Sequence, residues 1–76
     1  MNRRTNGASL AAIRKALGTR QGALAAAAGI SGPYLSMVEK GIRQPEPEIT
    51  ARLAAELGVP IDAITYPVTE PETVAP

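Results

Sequence analysis

An all-α bundle of five helices is the fold this sequence predicts, and three observations carry the expectation. Fourteen of the 76 residues are alanine, with no phenylalanine or tryptophan, a composition that favours helices because alanine loses no side-chain entropy in one. Apolar residues recur at three- and four-residue intervals, as Leu10, Ile13 and Leu17 and again as Ile49, Leu53 and Leu57, which is the spacing of one helix face. Gly18, Gly29, Gly41 and Gly58 each follow such a run, where a glycine able to turn left-handed ends a helix. A chain this short makes one domain and buries only ~60% of the surface it exposes unfolded. It contains no cysteine and no histidine, so disulfides, thiol chemistry and the usual zinc ligands are excluded and no metal or cofactor is expected.

Taken in order, residues 1–8 are polar and aperiodic and read as a flexible basic arm carrying Arg3 and Arg4. The first helix is expected from Ser9 to Leu17, with Leu10, Ile13 and Leu17 facing the core and Arg14 and Lys15 off that stripe. Thr19 is placed to cap the second helix, which runs to Ala28; Gly22 in its first turn is tolerated there. Ile30 fills the corner after Gly29, Ser31 caps the third helix, and Pro33 sits in its first turn, where its missing N–H has no intrahelical partner anyway. That helix runs to Lys40 and buries Leu35 and Val38, and Gly41 to Pro45 form a loop. Pro47 suits the first turn of the fourth helix, and Glu46 and Glu48 lie where the helix dipole favours negative charge. Val59 and Pro60 lead to a short fifth helix whose Ile61 and Ile64 close the core. The folded domain thus spans 9–65, and residues 66–76, rich in proline and acid, read as a disordered tail.

The most informative stretch runs from Gln21 to Pro45. Two short helices joined by a tight glycine turn, with Leu24 and the small Ala25 where they cross, have the spacing of a helix-turn-helix formed by helices 2 and 3. The net charge of +1 hides a division: the chain up to Pro45 carries a balance of +6, and the remainder −5. A basic surface beside a helix pair suits a polyanion, since neutralising phosphates releases counterions; chance asymmetry among so few charges is the plainer alternative. On the third helix, Met37 lies about 160° from Leu35 at ~100° per residue, so Gly32, Pro33, Ser36, Met37 and Lys40 form the outward face. Ser36 can bond a base or a phosphate, Met37 can touch a thymine methyl, and Gly32 and Pro33 offer no polar side chain, so direct readout of bases is expected to be thin. Tyr34 suits either a phosphate contact or half-buried packing.

As a set, Ile13-Arg14, Gln21, Leu24-Ala25, Gly29-Ile30-Ser31, Tyr34-Leu35-Ser36, Val38-Glu39-Lys40-Gly41, Pro45, Leu53-Ala54, Leu57-Gly58-Val59 and Ile64 resemble the phage repressor and Cro-type family of helix-turn-helix DNA-binding proteins, which includes the xenobiotic-response-element-like group. The resemblance covers Leu10 to Ile64 and implies the family's repressor-like bundle. It implies that Gln21, with free N–H groups at the start of helix 2, holds a DNA phosphate, and that Lys40 and Arg43 clamp the backbone. It also implies an internal ion pair between Arg14 and Glu39. The DNA-facing set is then Gln21, Ser31, Gly32, Pro33, Tyr34, Ser36, Met37, Lys40 and Arg43, with Arg3 and Arg4 of the arm reaching into a groove. Relatives often carry glutamine, arginine, asparagine or threonine on the reading face, and this chain departs from them there.

The function expected is that of a sequence-specific DNA-binding transcriptional regulator of phage or bacterial type, a repressor acting by promoter occlusion. Its partner is double-stranded DNA, bound as a homodimer through the helix 5 region with Val59, Ile61, Ile64 and Tyr66. The alternative is a protein-interaction module on the same scaffold, such as an antitoxin or a small phage factor, using the exposed methionine as a contact patch. An enzyme is not expected: Ser36 and Lys40 at i, i+4 are the nearest approach to a nucleophile and base, and that spacing more often marks a solvated face. No signal-peptide pattern and no apolar run near the ~20 residues that span a bilayer are present, so a cytoplasmic, nucleoid-associated protein is expected.

Overall fold

The computed structural model describes residues 2–68; of the tail expected over 66–76, residues 66–68 belong to a strand and residues 69–76 lie outside the described ones. The elements are strand β1 (Asn2–Thr5), helices α1 (Gly7–Ala16), α2 (Gln21–Ala28), α3 (Gly32–Glu39) and α4 (Pro47–Leu57), a 3₁₀ turn (Ile61–Ile64) and strand β2 (Thr65–Val68). Capping chemistry sets several of the boundaries. The Asn6 side chain accepts from the Ser9 N–H at 3.1 Å and starts α1 two residues before the expected Ser9. Ser31 Oγ accepts from the Tyr34 N–H at 3.1 Å and starts α3 as expected. Thr19 does not cap α2: Arg20 holds that position and makes no side-chain cap bond. Gly29 ends α2 at φ 80, a left-handed conformation that a β-carbon would strain.

The core is where the four helices and the 3₁₀ turn meet: Leu10, Leu24, Ala25, Ala28, Leu35, Val38, Leu53, Ala54, Leu57 and Ile64 are buried together. Ile13, Ile30, Tyr34, Ile49 and Val59 pack against it half-buried. Leu17, expected in the core, is 56% exposed, because α1 ends at Ala16 and Leu17 already belongs to the turn. Ile61, also expected inside, is 39% exposed.

The expected five-helix bundle is corrected to four helices and a small sheet. Pro67 cannot donate a helical hydrogen bond and disfavours helical geometry at Tyr66 before it, so the segment after Ile64 extends. It finds its partner in the residues expected to be a mobile arm: β1 and β2 pair antiparallel, with Asn2 opposite Val68, Arg3 opposite Pro67, Arg4 opposite Tyr66 and Thr5 opposite Thr65. The sheet is anchored to the helices by polar contacts. Thr5 Oγ1 and Thr50 Oγ1 of α4 share a buried hydrogen bond of 2.7 Å, the Thr5 N–H donates to Gln44 Oε1, and the Asn6 N–H donates to the Ile64 carbonyl at 2.7 Å. Gly7 permits the close approach of α1 to the end of α3, since a β-carbon there would press on the Val38 and Glu39 carbonyls, the latter at 2.7 Å. No helix among the described residues is long and apolar enough to cross a membrane.

Candidate nucleic-acid interface

The turn between α2 and α3 is built from backbone bonds that only the left-handed glycine allows. The Gly29 N–H donates to the Ala26 carbonyl at 3.1 Å and the Ile30 N–H to the Ala25 carbonyl at 3.0 Å, satisfying carbonyls left over at the end of α2. Ile30 then packs on the core and α3 sets off with Leu35 and Val38 inward. On the remaining face, Pro33 and Lys40 are exposed and Gly32, Tyr34, Ser36 and Met37 are half-buried. Ser31, spent on the cap, keeps its side chain at the surface.

Met37 is thus less outward than its helical angle implies. The loop after α3 folds back over the last turn, and the N–H groups of Ile42 and Arg43 both donate to the Met37 carbonyl, at 2.9 and 3.3 Å. This return places Arg43 beside the end of the helix, exposed like Lys40. It also exposes Ile42 by 65%, a feature the sequence reading missed; the signal that could have found it is Gly41, which ends the helix before Ile42 can join Val38 on its inward face.

Behind this face lies a charge network that fixes α1, α2 and α3 together. Arg14 Nε donates to Glu39 Oε2 at 2.6 Å, Arg14 Nη2 to Glu39 Oε1 at 3.0 Å, and Arg14 Nη1 to the Thr19 carbonyl at 3.0 Å. The two side chains are only 11% and 7% exposed. The hydrogen bond to Glu39, with its charge, raises the Arg14 pKa against the opposing effect of burial. Gln21 joins the network by donating from Nε2 to Glu39 Oε1 at 3.0 Å. One amide hydrogen of Gln21 is therefore committed inward, and its other N–H and its carbonyl remain for an outside partner.

The two arginines of the expected arm have separate fates. Arg3 sits on the sheet with Nε donating to Thr65 Oγ1 at 2.8 Å and Nη2 3.6 Å from Asp62 Oδ1, so it is held against the protein and not in a mobile arm. Arg4, Lys40 and Arg43 are exposed and take part in no ion pair among the described residues. Of the four residues expected to pair two copies, Ile64 is fully buried and unavailable, Val59 is half-buried, and Ile61 and Tyr66 are exposed.

Comparison with known proteins supports the arrangement. A helix-turn-helix family model matches residues 10–64, which contain all four helices but for the first turn of α1. Among solved structures, the clp gene regulator ClgR from Corynebacterium glutamicum is similar at 33% identity with a TM-score of 0.73, over 75% of this chain and 62% of that one. The match therefore spans less than two thirds of that ClgR chain. The restriction-modification controller protein C.AhdI from Aeromonas hydrophila is similar at 30% identity with a TM-score of 0.72, over 75% of this chain and 86% of that one. No curated protein sequence matches the chain significantly.

Proposed function

This chain belongs to the Cro/C1-type helix-turn-helix family of DNA-binding transcriptional regulators, and we propose that it reads a specific site as a homodimer and represses by occluding a promoter. The observation that carries this reading is the pairing of a presented α3 with exposed, uncompensated cations at its end, Lys40 and Arg43. A phosphate contact from each positions the helix. Gln21 at the N-terminus of α2 and Ser31, Gly32, Pro33 and Tyr34 at the start of α3 complete the DNA-facing set, with Ser36 and Met37 over the bases. Because Met37 is half-buried and two of the leading positions lack polar side chains, sequence-dependent DNA shape supplies much of the discrimination.

The pairing surface narrows to the side of the molecule that presents Ile61 and the edge of Val59. A two-fold dimer there matches half-sites about one helical turn apart. Binding to promoter and random duplexes across a salt series tests the function: a steep loss with salt together with strong preference for one site supports it, and equal weak binding to every sequence would sink it. The exposed Ile42 beside Arg43 favours a second reading, a protein-contact patch of the kind an antitoxin uses; Ile42→Ser that abolishes a protein complex and spares DNA binding would select it.

A further inference from the structure

Arg3 and Arg4 are neighbours in sequence and part company in space. Successive strand residues point to opposite faces of a sheet, and Arg3 takes the face of Thr65, where Asp62 and the Thr65 hydroxyl hold it. Arg4 takes the other face, opposite Tyr66. That face borders an open cleft of about 280 Å³ whose lining includes Arg4, Gly7, Lys40, Gln44 and Tyr66. Two cations from elements far apart in the chain thus share one concave surface, and neither is paired with an acid among the described residues. Glu39 also reaches the cleft, but its side chain is 7% exposed and its carboxylate oxygens accept from Arg14 and Gln21. The acid is spent on the interior, and the cleft keeps its positive charge. Tyr66, 43% exposed, adds a hydroxyl able to donate.

The position of this cleft connects it with the DNA-facing elements. Gln21 is bonded to the same Glu39 whose neighbour is Lys40, so a line of phosphate-seeking groups runs from the start of α2, past the end of α3, to the sheet. We propose that the cleft seats a DNA backbone phosphate, gripped by Arg4 and Lys40 from two sides and hydrogen-bonded by the Tyr66 hydroxyl. The proposal rests on the DNA-binding function inferred above and adds a contact from the sheet that a flexible arm would not make in a fixed place. A guanidinium already held on a paired strand loses less freedom on binding than one on a mobile segment.

The test is equilibrium binding of the full chain to its preferred duplex over a salt series, with ethylation interference to map the phosphates contacted. Arg4→Ala is expected to weaken binding about tenfold or more, to flatten the slope of log affinity against log salt by ~0.9, and to lose sensitivity at one phosphate. Lys40→Ala should lose sensitivity at that same phosphate. Arg4→Lys keeps the charge and should keep the slope, and Tyr66→Phe should weaken binding by about two- to tenfold with the slope unchanged. Arg3→Ala serves as the control, because its guanidinium is held on the far face: its melting temperature falls and its phosphate map stays that of the wild type. A folded Arg4→Ala with the wild-type slope and map, beside a Lys40→Ala that loses a phosphate, overturns the proposal and leaves the DNA function standing. A wild-type chain without salt-dependent binding overturns both.

Discussion

Gly7 and the Arg14–Glu39 pair show what single residues decide in this molecule. A β-carbon at Gly7 would meet the carbonyls of Val38 and Glu39, which are backbone and cannot swing aside. Gly7→Ala is therefore expected to cost about 1–3 kcal/mol, read as a lower midpoint in urea unfolding, and to loosen the seat of α3 with it. Arg14→Ala leaves the Glu39 carboxylate buried without its partner and is expected to cost about 3–5 kcal/mol, whereas Arg14→Met with Glu39→Leu restores most of the loss because neither charge is then stranded. The pH dependence follows from the direction of the Arg14 shift. A cation whose folded pKa is raised stabilises the fold fully below its unfolded pKa and loses that stabilisation only as pH climbs through the folded one. Because an arginine is already fully protonated near neutral pH in the unfolded chain, Arg14 contributes no slope to unfolding free energy between about pH 6 and 9. A double-mutant cycle for the pair should accordingly give an Arg14 contribution that is flat over that range.

Among the elements, the sheet departs most from expectation, and its anchoring to α4 is open to measurement. Thr5 and Thr50 each bury a hydroxyl and satisfy it on the other. Thr50→Val strands the Thr5 hydroxyl and should lower stability by about 1–3 kcal/mol, while Thr5→Val with Thr50→Val recovers much of it; thermal melts of the three variants check the non-additivity. Pro67 sits opposite Arg3 and has no N–H to give the ladder, so β2 presents an interrupted outer edge that resists further strand addition. Within α3, Met37→Ala removes the large apolar side chain proposed to face the bases. If the methionine touches a thymine methyl, the variant loses discrimination at a single base pair of the site, by about 1 kcal/mol, in a competition binding assay.

At the scale of the whole molecule, the charge division seen along the chain is kept only in part: Arg3 of the basic half meets Asp62 of the acidic half. Lys40, Arg43 and Arg4 gather at the end of α3, while the acids of α4 meet local partners or solvent, as in the exposed Glu48–Arg52 pair. Ile61 is the large apolar side chain exposed on the 3₁₀ turn. If copies pair there, Ile61→Glu shifts sedimentation equilibrium toward monomer and weakens binding to a two-fold site far more than to a single half-site. Unchanged assembly in that variant would move the interface elsewhere.

Local patterns in the chain were enough to place α2, α3 and α4 and the inward face of α3, because caps, left-handed glycines and helical periodicity act over a few residues. The pairing of Arg14 with Glu39 was legible only through family resemblance, since two residues so far apart show no mutual signal in one sequence. The sheet was not legible at all. Its strands are four residues each at opposite ends of the described chain, and a short polar strand has no pattern of its own until a distant partner supplies its hydrogen bonds. Likewise, whether Arg3 and Arg4 act together or apart depends on strand alternation, and whether Leu17 and Ile61 are core depends on where helices stop. Those outcomes belong to the tertiary structure, because burial and pairing are relations between segments, and propensity is a property of one.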